Sequence, residues 1–139
     1  MSGAESFFDT SVLLYLLSSD AEKAGAVEAL LGRSGVISVQ VLNEFAAVAH
    51  RKLAMPLFEI REVLETVRAV CRTDPLTAEE HDRALEIVDR YHFSFYDSVI
   101  VASALRAGCK TLYTEDLQHR QRIDRQLTLI NPFARADES

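Results

Sequence analysis

The chain has 139 residues, about one domain's worth, with 48% apolar and 26% charged residues and 21 acids against 15 bases, a formal charge of −6. This composition excludes a disordered chain, and the longest apolar run, six residues from Val12 to Leu17, excludes a membrane-spanning helix, which needs about 20. The acidic balance argues against a protein held to nucleic acid by net charge, but not against a nucleic-acid enzyme that carries cations.

In chain order, Ser6-Phe7-Phe8 reads as a strand ending at Asp9, and Thr10 or Ser11 as the cap of a short apolar helix through Leu17. Asp20 is the expected N-cap of a helix that turns Ala24, Val27, Leu30 and Leu31 inward and stops at Gly32. Gly35–Ser38 reads as a second strand, with Ser38 capping a helix from Val39 to about Leu53 along the stripe Leu42, Phe45, Ala46, Ala49 and Leu53. Pro56 suits the first turn of a helix with Ile60, Val63, Leu64 and Val67 as its face, followed by a strand within Ala69–Thr73. Thr77-Ala78-Glu79-Glu80 is a capping box, opening a helix with Ala84, Leu85, Val88 and Tyr91 on its inner side. Ser94 opens a helix whose body, Val99 to Leu105, is apolar nearly all round and so belongs at the centre, with Gly108 as its stop. Thr111–Thr114 and Leu127–Ile130 complete the strands.

Short apolar strands alternating with helices imply parallel crossovers. The expected fold is a three-layer α/β/α sandwich around a mostly parallel sheet of about five strands. No repeat or linker divides the chain, so a single domain over residues 1–139 is expected, with an ordered core from about 6 to 133 and loose ends at Met1–Ala4 and Ala134–Ser139. Cys71 and Cys109, without a C-x-x-C, read as reduced thiols, and the N-terminus carries no leader-like segment, which together place the protein in the cytoplasm.

In an open parallel sheet, ligands bind beyond the carboxyl ends of the strands. Asp9 follows the first strand, Glu44 lies on the helix after the second, Asp97 stands at the head of the central helix, and Glu115-Asp116 follow Thr114. Four carboxylates from four separated segments thus fall near one edge of the sheet. Brought together they repel one another unless cations bind among them, and hard oxygen ligands point to Mg²⁺ or Mn²⁺. Each acid alone has a plainer role: Asp9 in a turn or cap, Asp97 in a cap with Ser94, Asp116 at a helix dipole. Glu44, roughly 130° from the centre of its helix's apolar stripe at ~100° per residue, alone reads as a solvated glutamate. The four histidines lack zinc-ligand spacing, and no G-x-S-x-G, Walker-type or G-x-G-x-x-G motif is present.

At Phe8-Asp9-Thr10-Ser11-Val12-Leu13, Ser38–Phe45, Tyr96–Ala102, Leu112–Gln118 and Ile130-Asn131-Pro132-Phe133, the sequence resembles the PIN-domain ribonucleases, and more narrowly the VapC-type toxins of bacterial toxin–antitoxin pairs. The resemblance runs from about Phe7 to Phe133. It implies that Asp9, Glu44, Asp97 and Asp116 are the catalytic, metal-binding acids, with Glu115 able to share the place of Asp116 and with Thr10 and Thr114 in support. It implies one or two divalent ions that acidify a water and hold a phosphodiester of RNA, yielding a 5′-phosphate and a 3′-hydroxyl. It also implies a cognate antitoxin, with the apolar helices around Val12–Leu17 and Ile60–Val67 as its groove or as a homodimer face. The chain departs from the family after Gln118, where His119 is followed by Arg120 instead of glycine. Arg120 and Arg122, with Arg125 and Arg51-Lys52, are the expected contacts to RNA phosphates. The competing readings are an RNA-processing nuclease of the same fold and a catalytically silent interaction module.

Overall fold

Asp9 sits at the head of a helix, and its position follows from a short strand that ends one residue earlier. The computed structural model describes residues 5–134; the ends expected to be loose, Ala134 excepted, lie outside them. The chain runs through β1 (Ser6–Phe8), α1 (Thr10–Leu13), a 3-10 turn (Leu14–Leu17), α2 (Ala21–Leu31), β2 (Gly35–Ser38), α3 (Val39–Arg51), α4 (Leu57–Val70) and β3 (Cys71–Asp74). It continues through α5 (Ala78–Tyr91), α6 (Phe95–Arg106), β4 (Thr111–Tyr113), β5 (Arg122–Ile123) and β6 (Leu127–Ile130).

The sheet has six strands in the order β3-β2-β1-β4-β6-β5, with helices on both faces. Every neighbouring pair is parallel except β5 with β6. The chain leaves β1 towards β2 on one side and reaches β4 on the other, so the order reverses between β1 and β4. That reversal opens a crevice at the carboxyl ends of these two strands. The crossovers pack as expected of short strands buried on both faces: Phe7, Phe8, Val36, Ile37, Leu112 and Leu129 are fully buried. Helix α6 runs through the middle, buried continuously from Ser98 to Leu105.

Local capping follows the sequence closely. Asp20 accepts from the N–H groups of Glu22 and Lys23, Ser38 from Val41, and Ser94 from Asp97. Thr77 and Glu80 form the complete capping box of α5. Gly108, at φ 77°, turns the chain out of α6 in the left-handed region open to glycine. Gly35 is needed for space: a Cβ there would lie 3.2 Å from both the Leu31 and Phe8 side chains.

Several expectations are corrected. Asp9, not Thr10 or Ser11, stands before α1, and Thr10 is its first residue. The apolar run to Leu17 leaves the α-helix at Leu13 and finishes as the 3-10 turn. Gly32 does cap α2 where its stop was expected, while the left-handed residue before β2 is Ser34. Leu53 lies beyond the end of α3 and is exposed, as is Leu85 on α5, because the buried faces run through Val41, Phe45 and Ala49 and through Ala84 and Ile87. Helix α4 extends through Val70, which delays β3 to Cys71. The two-residue β5 has no counterpart in the sequence pattern.

Candidate metal centre

The end of β1 delivers Asp9 into the crevice. Its N–H donates to the Tyr113 carbonyl of β4 (2.9 Å), and its own carbonyl accepts from Val12 and Leu13. The backbone alone therefore caps α1, and the side chain makes no capping bond. It is free to turn to β4, where its Oδ2 accepts from the Thr114 hydroxyl (2.7 Å) and, more loosely, from Ser11 (3.2 Å). Asp97 reaches the same place from the first turn of α6, whose head is fixed by Ser94. Asp116 follows β4; its N–H donates to Thr114 Oγ1 (3.1 Å), so one hydroxyl positions both acids. Carboxylate oxygens of Asp9, Asp97 and Asp116 lie within 4.8 Å of one another.

Glu44 flanks this set without joining it. Half-buried on α3, it accepts from the Thr10 hydroxyl at Oε1 (2.8 Å) and from Gln40 Nε2 at Oε2 (3.0 Å). It is still close enough for its charge to act on Asp116. Of the adjacent pair, Asp116 joins the set. Glu115 turns instead to Tyr15, whose hydroxyl donates to its Oε2 (3.0 Å), while the Glu115 N–H donates to Ser11.

The electrostatics record the crowding. Burial pushes the Asp9 carboxyl up to about 7; the Thr114 hydrogen bond pulls it back, and the charges of Asp116 and Asp97 push it up further. Asp116 is raised by burial and then by Asp97, Glu115 and Glu44. Among the described residues none of these acids takes part in an ion pair. Three converging carboxylates with no protein cation between them are the hard-oxygen donor set suited to one divalent ion, and the residues present fit such a group.

Ser11, Tyr15 and Gln40 are partners that the sequence reading did not name. Gln40 was within reach of it, since residues four apart on a helix face one another. Ser11 stands only two residues from Asp9, but its link to Glu115, like that of Tyr15, bridges about a hundred residues and has no local signature. Arg120 and Arg122 make no ion pair with the acids; both line a groove beside β4 and β6.

Residues 6–124 match the family described as PIN domain. Among solved structures, the chain is similar to the VapC20 toxin of Mycobacterium tuberculosis, described as cleaving the sarcin–ricin loop, at 22% identity and TM-score 0.61, covering 80% of this chain and 89% of that one. It is similar to a chain of a toxin–antitoxin complex from Klebsiella pneumoniae at 19% identity and TM-score 0.69, covering 92% and 98%. A chain of VapBC2 from Rickettsia felis, bound to a DNA fragment from its promoter, aligns at 17% identity and TM-score 0.67, covering 90% and 96%. No curated protein matches by sequence.

Proposed function

The chain belongs to the PIN-domain family, and on that footing we propose that it is a metal-dependent endoribonuclease, the toxin of a toxin–antitoxin pair. The observation that carries this reading is the convergence of Asp9, Asp97 and Asp116 within 4.8 Å. These three would hold Mg²⁺ or Mn²⁺, with Glu44 at the edge of the site. The ion would acidify a water and offset the charge of the phosphodiester and its leaving oxygen. The chain's own residues orient that chemistry. Thr114 and Ser11 fix the Asp9 carboxylate, Thr10 and Gln40 hold Glu44, and Ser94 anchors the turn that carries Asp97. Asp116 is the most exposed of the three, so its carboxylate would be the one open to accept a proton from the attacking water.

A cognate antitoxin and a homodimer complete the proposal, supported by the toxin–antitoxin complexes among the similar structures. The reading places a single-domain protein in the cytoplasm; no helix of the described residues is long and apolar enough to cross a membrane.

The test is Mn²⁺ titration calorimetry followed by RNA cleavage. The parent should bind Mn²⁺, and Asp9→Asn/Asp97→Asn should not. Asp97→Ala should slow cleavage by more than the roughly 10–100-fold that loss of an outer-shell partner costs. An Asp97→Ala protein that cleaves RNA at the parental rate would refute the assignment.

A further inference from the structure

Three consecutive residues after β4 meet the first helix through two hydroxyls. The Thr114 and Ser11 hydroxyls both donate to Oδ2 of Asp9, at 2.7 and 3.2 Å. Each also accepts from the backbone beyond β4: Thr114 from the Asp116 N–H and Ser11 from the Glu115 N–H, both at 3.1 Å. The backbone of residues 115 and 116 is therefore tied to the Asp9 carboxylate. It also carries a choice, because Glu115 and Asp116 are adjacent acids and Asp116 is the one whose carboxylate lies with those of Asp9 and Asp97.

Glu115 is turned elsewhere by Tyr15. This residue follows Ser11 by four positions, and residues three or four apart in a helix face the same way. From that one face Ser11 holds the backbone of Glu115, and the Tyr15 hydroxyl donates to its Oε2 (3.0 Å). The phenol is itself fixed. Its ring stands edge-on to that of Phe133, with centroids 4.7 Å apart, and Lys23 Nζ lies 5.2 Å from each centroid. Burial, and then Glu115, push the hydroxyl above its ordinary value, so it stays a donor throughout the neutral range. Packing alone does not fix Glu115. A cavity of about 330 Å³, lined by Ser11, Tyr15, Leu53 and Glu115 among others, lies beside it and leaves its carboxylate room to turn. The hydrogen bond to Tyr15 removes that freedom.

We propose that Tyr15 is a positioning residue of the metal centre: its hydroxyl holds Glu115 and, through it, sets the backbone that presents Asp116 to the ion. A Glu115 released into the cavity would pull the 115–116 backbone off Ser11 and Thr114 and take Asp116 with it. The inference rests on the metal-dependent reading and adds to it what makes Asp116, and not Glu115, the third ligand.

The test is Mn²⁺ titration calorimetry on the full-length chain. Tyr15→Phe keeps the ring against Phe133 and removes only the hydroxyl. It should weaken Mn²⁺ binding by about tenfold, the lower end of what loss of an outer-shell partner costs. Glu115→Gln and Glu115→Ala remove the same charge, but only the amide keeps an oxygen that accepts from Tyr15. Glu115→Gln should therefore bind Mn²⁺ about tenfold more tightly than Glu115→Ala. Adding Tyr15→Phe to Glu115→Ala should change nothing further, because two residues that act through one bond are not additive. A general loosening of the fold would cost the same in both backgrounds. Tyr15→Phe binding Mn²⁺ as tightly as the parent, or costing as much without Glu115 as with it, overturns the proposal while the metal centre stands. Failure of the parent to bind Mn²⁺ removes the metal-dependent reading and this inference with it.

Discussion

The Asp9 carboxyl, held near 7 by burial and by the charges of Asp116 and Asp97, gives the molecule a pH dependence of unusual sign for a carboxylate. The folded, metal-free protein keeps a proton that the unfolded chain releases in the ordinary carboxylate range. Its contribution to stability is complete below that range and is lost as pH rises through about 7, at up to about 1.4 kcal/mol per pH unit. Thermal melts in a chelator should show this contribution to the melting temperature falling between about pH 4 and 7, and Asp9→Asn should flatten that slope. A parental melting temperature constant over this window would show that another group already neutralises the site. On the acid side the sign reverses. Burial raises Glu80 and Asp124, but the bonds from Arg106 and Thr77, and from Arg83 and Tyr91, outweigh it and leave both below their ordinary values. Their contribution is present above the unfolded value and lost as pH falls through the folded one. Two buried hydroxyls on α6, Ser98 and Ser103, have no hydrogen-bond partner. An unsatisfied buried polar group costs about 1–3 kcal/mol, so Ser103→Ala should be neutral or stabilising by chemical denaturation.

At the scale of elements, α5 is secured at both ends. At its head, Glu80 is 2% exposed and accepts from the Thr77 N–H (2.7 Å) and from Arg106 of α6 (2.6 Å). The capping box therefore also joins α5 to the central helix. Glu80→Ala removes the cap and leaves the Thr77 N–H unpaired, and should lower stability by about 1–3 kcal/mol with an unchanged denaturant slope. At the other end, Asp124 in the β5–β6 turn accepts from Arg83, Arg90 and the Tyr91 hydroxyl of α5. This clamp explains how a two-residue strand persists at the sheet edge. Asp124→Ala should destabilise by about 1–2 kcal/mol, with the loss appearing first as faster amide exchange at Gln121–Leu129. The box was legible because its four residues are consecutive. The clamp was not, since its partners stand 33 to 41 residues away.

On the scale of the whole molecule, the strand order places the end of β1 beside the end of β4, and that adjacency makes three acids one site. Cation binding should therefore act on global stability. At a concentration a hundred times its dissociation constant, Mn²⁺ should stabilise the fold by about 2.7 kcal/mol and raise the melting temperature of the parent but not of Asp9→Asn/Asp97→Asn. Equal shifts in the two proteins would locate the ion elsewhere. Most elements and caps, β5 and the cap of α1 excepted, and the candidate acids could be read from the chain alone, because alternation, helical period and capping act between residues a few positions apart. Which acid of the Glu115-Asp116 pair turns inward and how Thr10 comes to hold Glu44 were decided by the tertiary structure. Each depends on a hydrogen bond from a residue distant in sequence, and such contacts form only once the strands have taken their order.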